Sequence, residues 1–320
     1  GRWLRAESPR FIVYSEGKEA ELRDYTRKLE VFDSVLRSIH GLPIDGVPPT
    51  KLSIFLVDDW RDMRRIYPTA SADTQGFYAA SDSDILAVAN RTMEDQVLLH
   101  EYTHHFMLQY FAYPYPAWLR EGYAEFFMTA EVKPDVVNIG KWSEYRANAL
   151  VSPDWLPMER LLRTYPQALQ RPGERDHFYA QSWALVHWFM TEPGRYPQLL
   201  AYMKAVGEGA DPVEAMKTAT GLMPISLETK LKAYVNGKLM YRPYAIKNLG
   251  KAEISVTSLP PEADELLLED ASLKAEIMEA APALASARKR TTKYRGTRLG
   301  ELVLARAERS EEHTSELQSH

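Results

Sequence analysis

The chain has 320 residues, 45% of them hydrophobic and 26% charged, enough to bury at least one sizeable core and to divide into two domains or subdomains. A formal charge of -5 gives no long-range pull toward phosphate backbones or anionic lipid, which argues against a nucleic-acid partner, and no apolar run reaches the ~20 residues that span a bilayer. With no cysteine, disulfides, thiolate nucleophiles and thiolate metal sites are excluded, so any metal must be held by His, Asp or Glu.

The opening "GRWLRAESPR" has neither an initiator Met nor the apolar stretch of a signal peptide, so the expectation is a start cut by processing or by sequencing. "RFIVYSE" (10–16) alternates as a strand does, and Leu22, Tyr25, Leu29, Phe32, Val35 and Leu36 recur at helical spacing over 18–39. "KLSIFLVDD" (51–59) reads as a strand followed by a short helical piece ending near Tyr67. "GFYAASDSDILAVAN" (76–90) reads as two strands around an Asp/Ser turn. Residues 1–91 are therefore expected to form a small mixed sheet with helices.

From Thr92, an N-cap with Asp95 three positions later, helical patterns dominate over 92–111, 116–130, 155–163, 176–190, 195–206, 211–219 and 225–239. The stretch 240–264, richer in Pro and Gly, reads as a connection with one strand, and helices are expected over 262–290 and 297–308. Arg288, Lys289 and Arg290 form only a local basic run. The last twelve residues, "RSEEHTSELQSH" (309–320), resemble residue for residue the translation of a sequencing-library adapter. Set aside as an artefact, they take His313 and His320 out of consideration as ligands, and the natural chain is expected to continue past Glu308.

The chemistry concentrates in "VLLHEYTHHFMLQY" (97–110). His100, Glu101 and His104 spell HExxH, and on a helix residues four apart stand one turn apart on one face, close enough for both imidazoles to reach one cation. Glu101 sits about 100° round the axis, out of place for ligation but able to act as a base toward water at the metal. HExxH arises by chance often enough to need support, and "PAWLREGYAEFF" gives it. Glu121 and Glu125 are again four apart on an expected helix that could bring a carboxylate to the same ion. Two His and one Glu leave a fourth position open, the composition of a catalytic rather than a structural zinc site. His105, about 140° from His100, is expected to be a partly exposed or locally bonded bystander. Val97, Leu108 and Phe111 share the wheel sector of the two ligand histidines, so that face is expected to continue into apolar packing.

These residues resemble the gluzincin metallopeptidases, and within them the peptidase-MA-like bacterial proteins, over residues 3–245. The resemblance rests on "ESPRFIVYS", "LLHEYTHHF", "PAWLREGYAEFF" and "FYAQSWALVHWFM" in that order. It implies an α+β fold in which a small mixed-sheet subdomain (1–91) precedes a mainly helical catalytic subdomain (92–245), with the zinc site between them. It also implies one Zn²⁺ on His100, His104 and Glu121, Glu101 as general base, and Glu125 as the acid that orients a ligand histidine. The strand containing Gly76, Phe77, Tyr78 and Ala79 would pair with the substrate backbone. Either Tyr179 or His177 would stabilise the oxyanion, with Tyr179 preferred. Residues 246–308 would be a connection and the start of tetratricopeptide-like helices, through which protein partners would bind. An exported bacterial protein, periplasmic or secreted, is implied.

The function expected from this set is zinc-dependent hydrolysis of peptide bonds in a peptide or protein substrate. Two other readings stay open on the sequence: a peptidase-like protein-binding module with little or no activity, and a metal-dependent hydrolase of another amide such as a cell-wall crosslink.

Overall fold

A computed structural model describes residues 2–72, 76–80, 85–91, 95–245 and 251–318. Thr92 and the Asp/Ser turn at 81–84 lie outside the described residues. The chain begins β1 (Leu4–Glu7), β2 (Phe11–Ser15), α1 (Glu19–Ile39), β3 (Leu52–Val57), α2 (Trp60–Ile66), β4 (Gly76–Ala80) and β5 (Ile85–Asn90). It continues α3 (Asp95–Tyr110), α4 (Ala117–Met128), β6 (Glu131–Val132), β7 (Val136–Ile139), α5 (Glu144–Val151), α6 (Met158–Arg163) and α7 (Glu174–Thr191). Then come α8 (Tyr196–Gly207), α9 (Pro212–Thr220), α10 (Pro224–Val235), β8 (Arg242–Ala245), β9 (Ser255–Ser258), α11 (Ala263–Lys274), α12 (Ala280–Thr291) and α13 (Arg298–Gln318). The fold is mixed α and β, with a six-stranded sheet built mainly from N-terminal strands ahead of a mostly helical region.

Two compact units result: Gly1–Val97 together with Asn248–His320, and Leu98–Lys247. The first contains a sheet in the order β4-β5-β3-β2-β1-β9. β2, β3 and β5 run parallel, with Phe11 opposite Leu52 and Ile54 opposite Ala87, and the other pairings are antiparallel. A parallel pair needs a crossover, and α1 supplies it between β2 and β3, burying Leu22, Leu29, Phe32, Val35 and Leu36. At its start α2 is capped by Asp59, whose side chain accepts from the backbone N–H groups of Arg61 and Asp62.

The C-terminal segment corrects the expected division. Residues 248–320 belong to the first unit, because β9 pairs with β1 (Leu4 opposite Ser258) and α11 drives Ala263, Leu267, Leu268 and Ala271 into the core formed by Trp3, Phe55, Val57, Met63, Ile66 and Val88. The stretch expected as a connection with one strand thus contributes β9 to this sheet. The single helix expected over 262–290 is two, because Glu276 takes a left-handed φ of 53° just past the end of α11. α12 and α13 share a second apolar cluster with α11 through Leu266, Leu284, Ala287, Val303 and Leu304. α13 runs on into the adapter-like tail, but its buried face ends at Ala307, and residues 312–315 are exposed.

The second unit is organised round α7, which is buried on nearly every side from Phe178 to Met190. A helix apolar all round must be enclosed by neighbours, and α4, α5, α8 and α10 pack on it. Its closest approach is to α4 at Gly122: a Cβ there would stand 2.6 Å from the carbonyl oxygen of Ser182 and 2.8 Å from Val186 Cγ2. β6, β7 and β8 form a small antiparallel sheet in the same unit. Among the described residues, no helix is long and apolar enough to cross a membrane.

Candidate metal centre

α3 is fixed by Leu98, Leu99, Tyr102, Phe106 and Met107, all buried, which leaves His100 and His104 half-buried one turn apart. α4 is fixed by Trp118, whose Nε1 donates to Tyr202 Oη at 2.9 Å, and by the close packing at Gly122 next to Glu121. The two helices bring three atoms together. His100 Nε2 is 3.1 Å from His104 Nε2, and each nitrogen is 3.3 Å from Glu121 Oε2. Among the described residues, His100, His104 and Glu121 are the one group of three His, Asp or Glu side chains whose donor atoms come this close.

The size of this triangle can be tested against a metal. Donors on a tetrahedral ion with bonds of about 2.0–2.1 Å stand roughly 3.3–3.4 Å apart, and the observed edges are 3.1 and 3.3 Å. The donor set therefore fits a small divalent cation. Electrostatics point the same way, since three lone-pair donors at this separation repel one another unless positive charge, a proton or a metal ion, lies among them. Burial pushes the Glu121 carboxyl up, but hydrogen bonds from His100 and His104 and their charge overcome it and hold the group well below the usual carboxylate range. For His100, burial lowers the pKa, yet the hydrogen bond to Glu121 and the charges of Glu125, Glu121 and Glu101 leave it raised. These three side chains could hold a cation.

Glu101 is half-buried and contributes no donor to the triangle. Burial raises its pKa, with the charges of His100 and His104 opposing and that of Glu121 adding. Tyr179, on α7, is pushed up to about 12, first by burial and then by the charges of Glu121 and Glu125, against Arg146 and Arg175. Its hydroxyl therefore keeps its proton at ordinary pH and can donate. His177, two residues closer to the start of α7, has a buried Nδ1 with no hydrogen-bond partner.

All three close donors belong to the second unit, so the ligand set comes from one unit and not from two. Gly76, Phe77, Tyr78 and Ala79 lie in the first unit, on β4, which stands at the end of the sheet order beside β5. Glu125, expected to orient a ligand histidine, stands at ion-pair distance from His100 and hydrogen-bonds elsewhere. It lies 3.9 Å from His100 Nδ1, beyond hydrogen-bond range, and instead accepts from Arg146, Nη2 to Oε1 at 2.7 Å and Nε to Oε2 at 3.2 Å. A guanidinium outcompetes an imidazole for a carboxylate buried at 1% exposure. Of the two alternatives for His105, partial exposure is overturned: it is buried beside Tyr102, with ring centroids 5.8 Å apart. Leu108 is 57% exposed, so the face of α3 that carries His100 and His104 does not continue into packing there.

Sequence reasoning missed two residues. Arg146 sits on α5, a short helix that no motif marks, although Ser143 followed by "EYRANALV" is a helix-start pattern. Its guanidinium reaches Glu125, lies 3.6 Å from Asp176 and stacks 4.9 Å from the Tyr179 ring centre. His187, inside "FYAQSWALVHWFM", is fully buried. Its Nε2–H donates to Gly140 O at 2.8 Å, and its Nδ1 accepts from Tyr234 Oη at 2.5 Å, tying α7 to the turn after β7 and to α10.

No protein-family model matches the chain, and no curated protein matches it.

Proposed function

We propose that this chain is a zinc-dependent peptidase of the gluzincin type, with His100, His104 and Glu121 as the metal ligands. The observation that carries this reading is the donor triangle of 3.1, 3.3 and 3.3 Å beside a glutamate that is not among the donors. Three protein donors leave a coordination position open, which serves catalysis and not structure.

Zinc bound there would supply Lewis acidity to water and to a peptide carbonyl. Glu101 takes the proton of the attacking water and returns it to the leaving amine. Tyr179, kept protonated, donates to the oxygen on which negative charge develops. Arg146 holds Glu125 and the Tyr179 ring in place behind these groups.

The test is metal analysis of purified protein together with cleavage of a broad peptide library by wild type and Glu101→Gln. Expected are one equivalent of zinc in both proteins and cleavage by wild type alone. Full activity in Glu101→Gln, or bound zinc without turnover of any peptide by wild type, would overturn the reading.

A further inference from the structure

We propose that the cavity enclosed by α2, α11 and α12 in the first unit binds a phosphate group, as the free ion or as a small monoester. It is an open cavity of about 260 Å³, lined by Arg61, Arg64, Arg65, Arg290, Glu269 and Ser286 among others. Four arginines against one glutamate leave the lining at +3, in a chain whose formal charge is -5. Like charges gathered round one concavity repel, and the cavity walls focus their field, so an anion entering it is attracted and relieves that repulsion.

The partners of the four arginines differ in a telling way. Arg65 has a structural task, donating to the carbonyl oxygens of Asp264 and Glu265 at 3.2 and 2.8 Å. Arg290 lies 3.2 Å from Glu269 Oε2. Arg61 and Arg64 form no ion pair with any carboxylate among the described residues, and their guanidinium carbons lie 6.0 and 5.3 Å from the ring centre of Trp60. That stacking leaves the N–H groups at the guanidinium edges to fork onto oxygens, the geometry in which arginine recognises phosphate.

Glu269 is the internal competitor. Both its oxygens are buried, and the Arg290 contact has ion-pair distance but poor hydrogen-bond alignment. Burial raises its pKa, against a hydrogen bond from Ser286 and the charges of Arg290 and Arg65. An anion in the cavity would offer Arg290 a better-aligned acceptor. The volume, about that of nine liquid waters, suits a phosphate with a short organic group and is smaller than the pockets of drug-sized ligands.

Isothermal titration of the full chain with inorganic phosphate and with glycerol 3-phosphate, each against chloride at matched ionic strength, tests this. Saturable binding is expected, weakened about tenfold or more in Arg61→Gln/Arg64→Gln. The pair Arg288→Gln/Lys289→Gln, equally basic and on α12 but outside the cavity, is expected to stay within about twofold of wild type. Glu269→Gln, which removes the competing charge, is expected to bind more tightly. A preference for either ligand identifies free ion or ester as the source. Absence of saturable binding, equal losses in the two double variants, or no tightening in Glu269→Gln overturns the proposal, and thermal melts of each variant separate lost binding from lost folding.

Discussion

Arg146 and His100 share one carboxylate unequally: Glu125 Oε1 stands 2.7 Å from Arg146 Nη2 and 3.9 Å from His100 Nδ1. The charge that could have fixed the ligand imidazole is committed to a guanidinium on another helix, and the same guanidinium packs on Tyr179. Replacing Arg146 with Met leaves Glu125 buried without its cation. The expected loss is about 3 kcal/mol of stability, read from urea unfolding. Glu125→Gln/Arg146→Met, which removes both charges, is expected to recover most of it; equal loss in single and double variants would show that the pair contributes only packing.

Gly122 sets the position of Glu121. A methyl group there meets the Ser182 carbonyl oxygen at 2.6 Å, a backbone atom that cannot rotate away. Gly122→Ala is expected to cost about 1–3 kcal/mol as α4 and α7 are forced apart, and to weaken zinc binding because Glu121 moves with α4. Unchanged stability and unchanged zinc affinity would count against this packing.

Metal should stabilise the fold through the three donors alone. Zinc added to chelator-treated protein at roughly a thousand times its dissociation constant is expected to raise unfolding free energy by about 4 kcal/mol. His104→Ala should abolish that gain while leaving the metal-free stability within about 1 kcal/mol, since the side chain is partly exposed. Calorimetry with and without zinc decides it.

His187 predicts a pH dependence. Burial pushes its pKa down to about 4, although hydrogen bonds from the ring to backbone oppose the shift. Its unfolded value is about 6.5, so between those two pH values the unfolded chain binds a proton that the folded chain does not. The stabilisation is complete above about pH 6.5 and is lost as pH falls toward 4, by about 3 kcal/mol in all. Comparing wild type with His187→Gln at pH 7 and pH 5 isolates the effect. The variant should be less stable at pH 7 and should lose less on acidification; parallel pH profiles would refute the assignment.

Tyr179→Phe tests the hydroxyl separately from the ring. The ring keeps its contact with Arg146, so folding and zinc content should hold, while kcat for peptide cleavage is expected to fall roughly a hundredfold with KM little changed. The same loss in a His177 variant and none in Tyr179→Phe would transfer the role to His177.

The sequence by itself determined the elements whose signal is local. The spacing of His100 and His104 needs only a helix to place both on one face, and the apolar periodicity of α1 and the capping by Asp59 are likewise effects of near neighbours. A carboxylate at Glu121 was legible as a possible third donor because "HEYTH" and "REGYAE" each carry a four-residue repeat of chemistry. Tertiary structure alone decided the rest. Only the closeness of α4 to α7 at Gly122 positions Glu121, and only the packing of α5 on α7 brings Arg146 to Glu125 and away from any role that its neighbours in sequence announce. β1 escaped notice because at four residues it shows only Leu4 and Ala6 on its apolar alternation, and its place between β2 and β9 depends on Ser258 and its neighbours, some 250 positions away. Pairings at that range leave no period to read. They are set by which buried surfaces meet when the chain is compact, and that is why the strand and helices expected beyond residue 240 gave no sign in sequence that they join the sheet and core of the first unit.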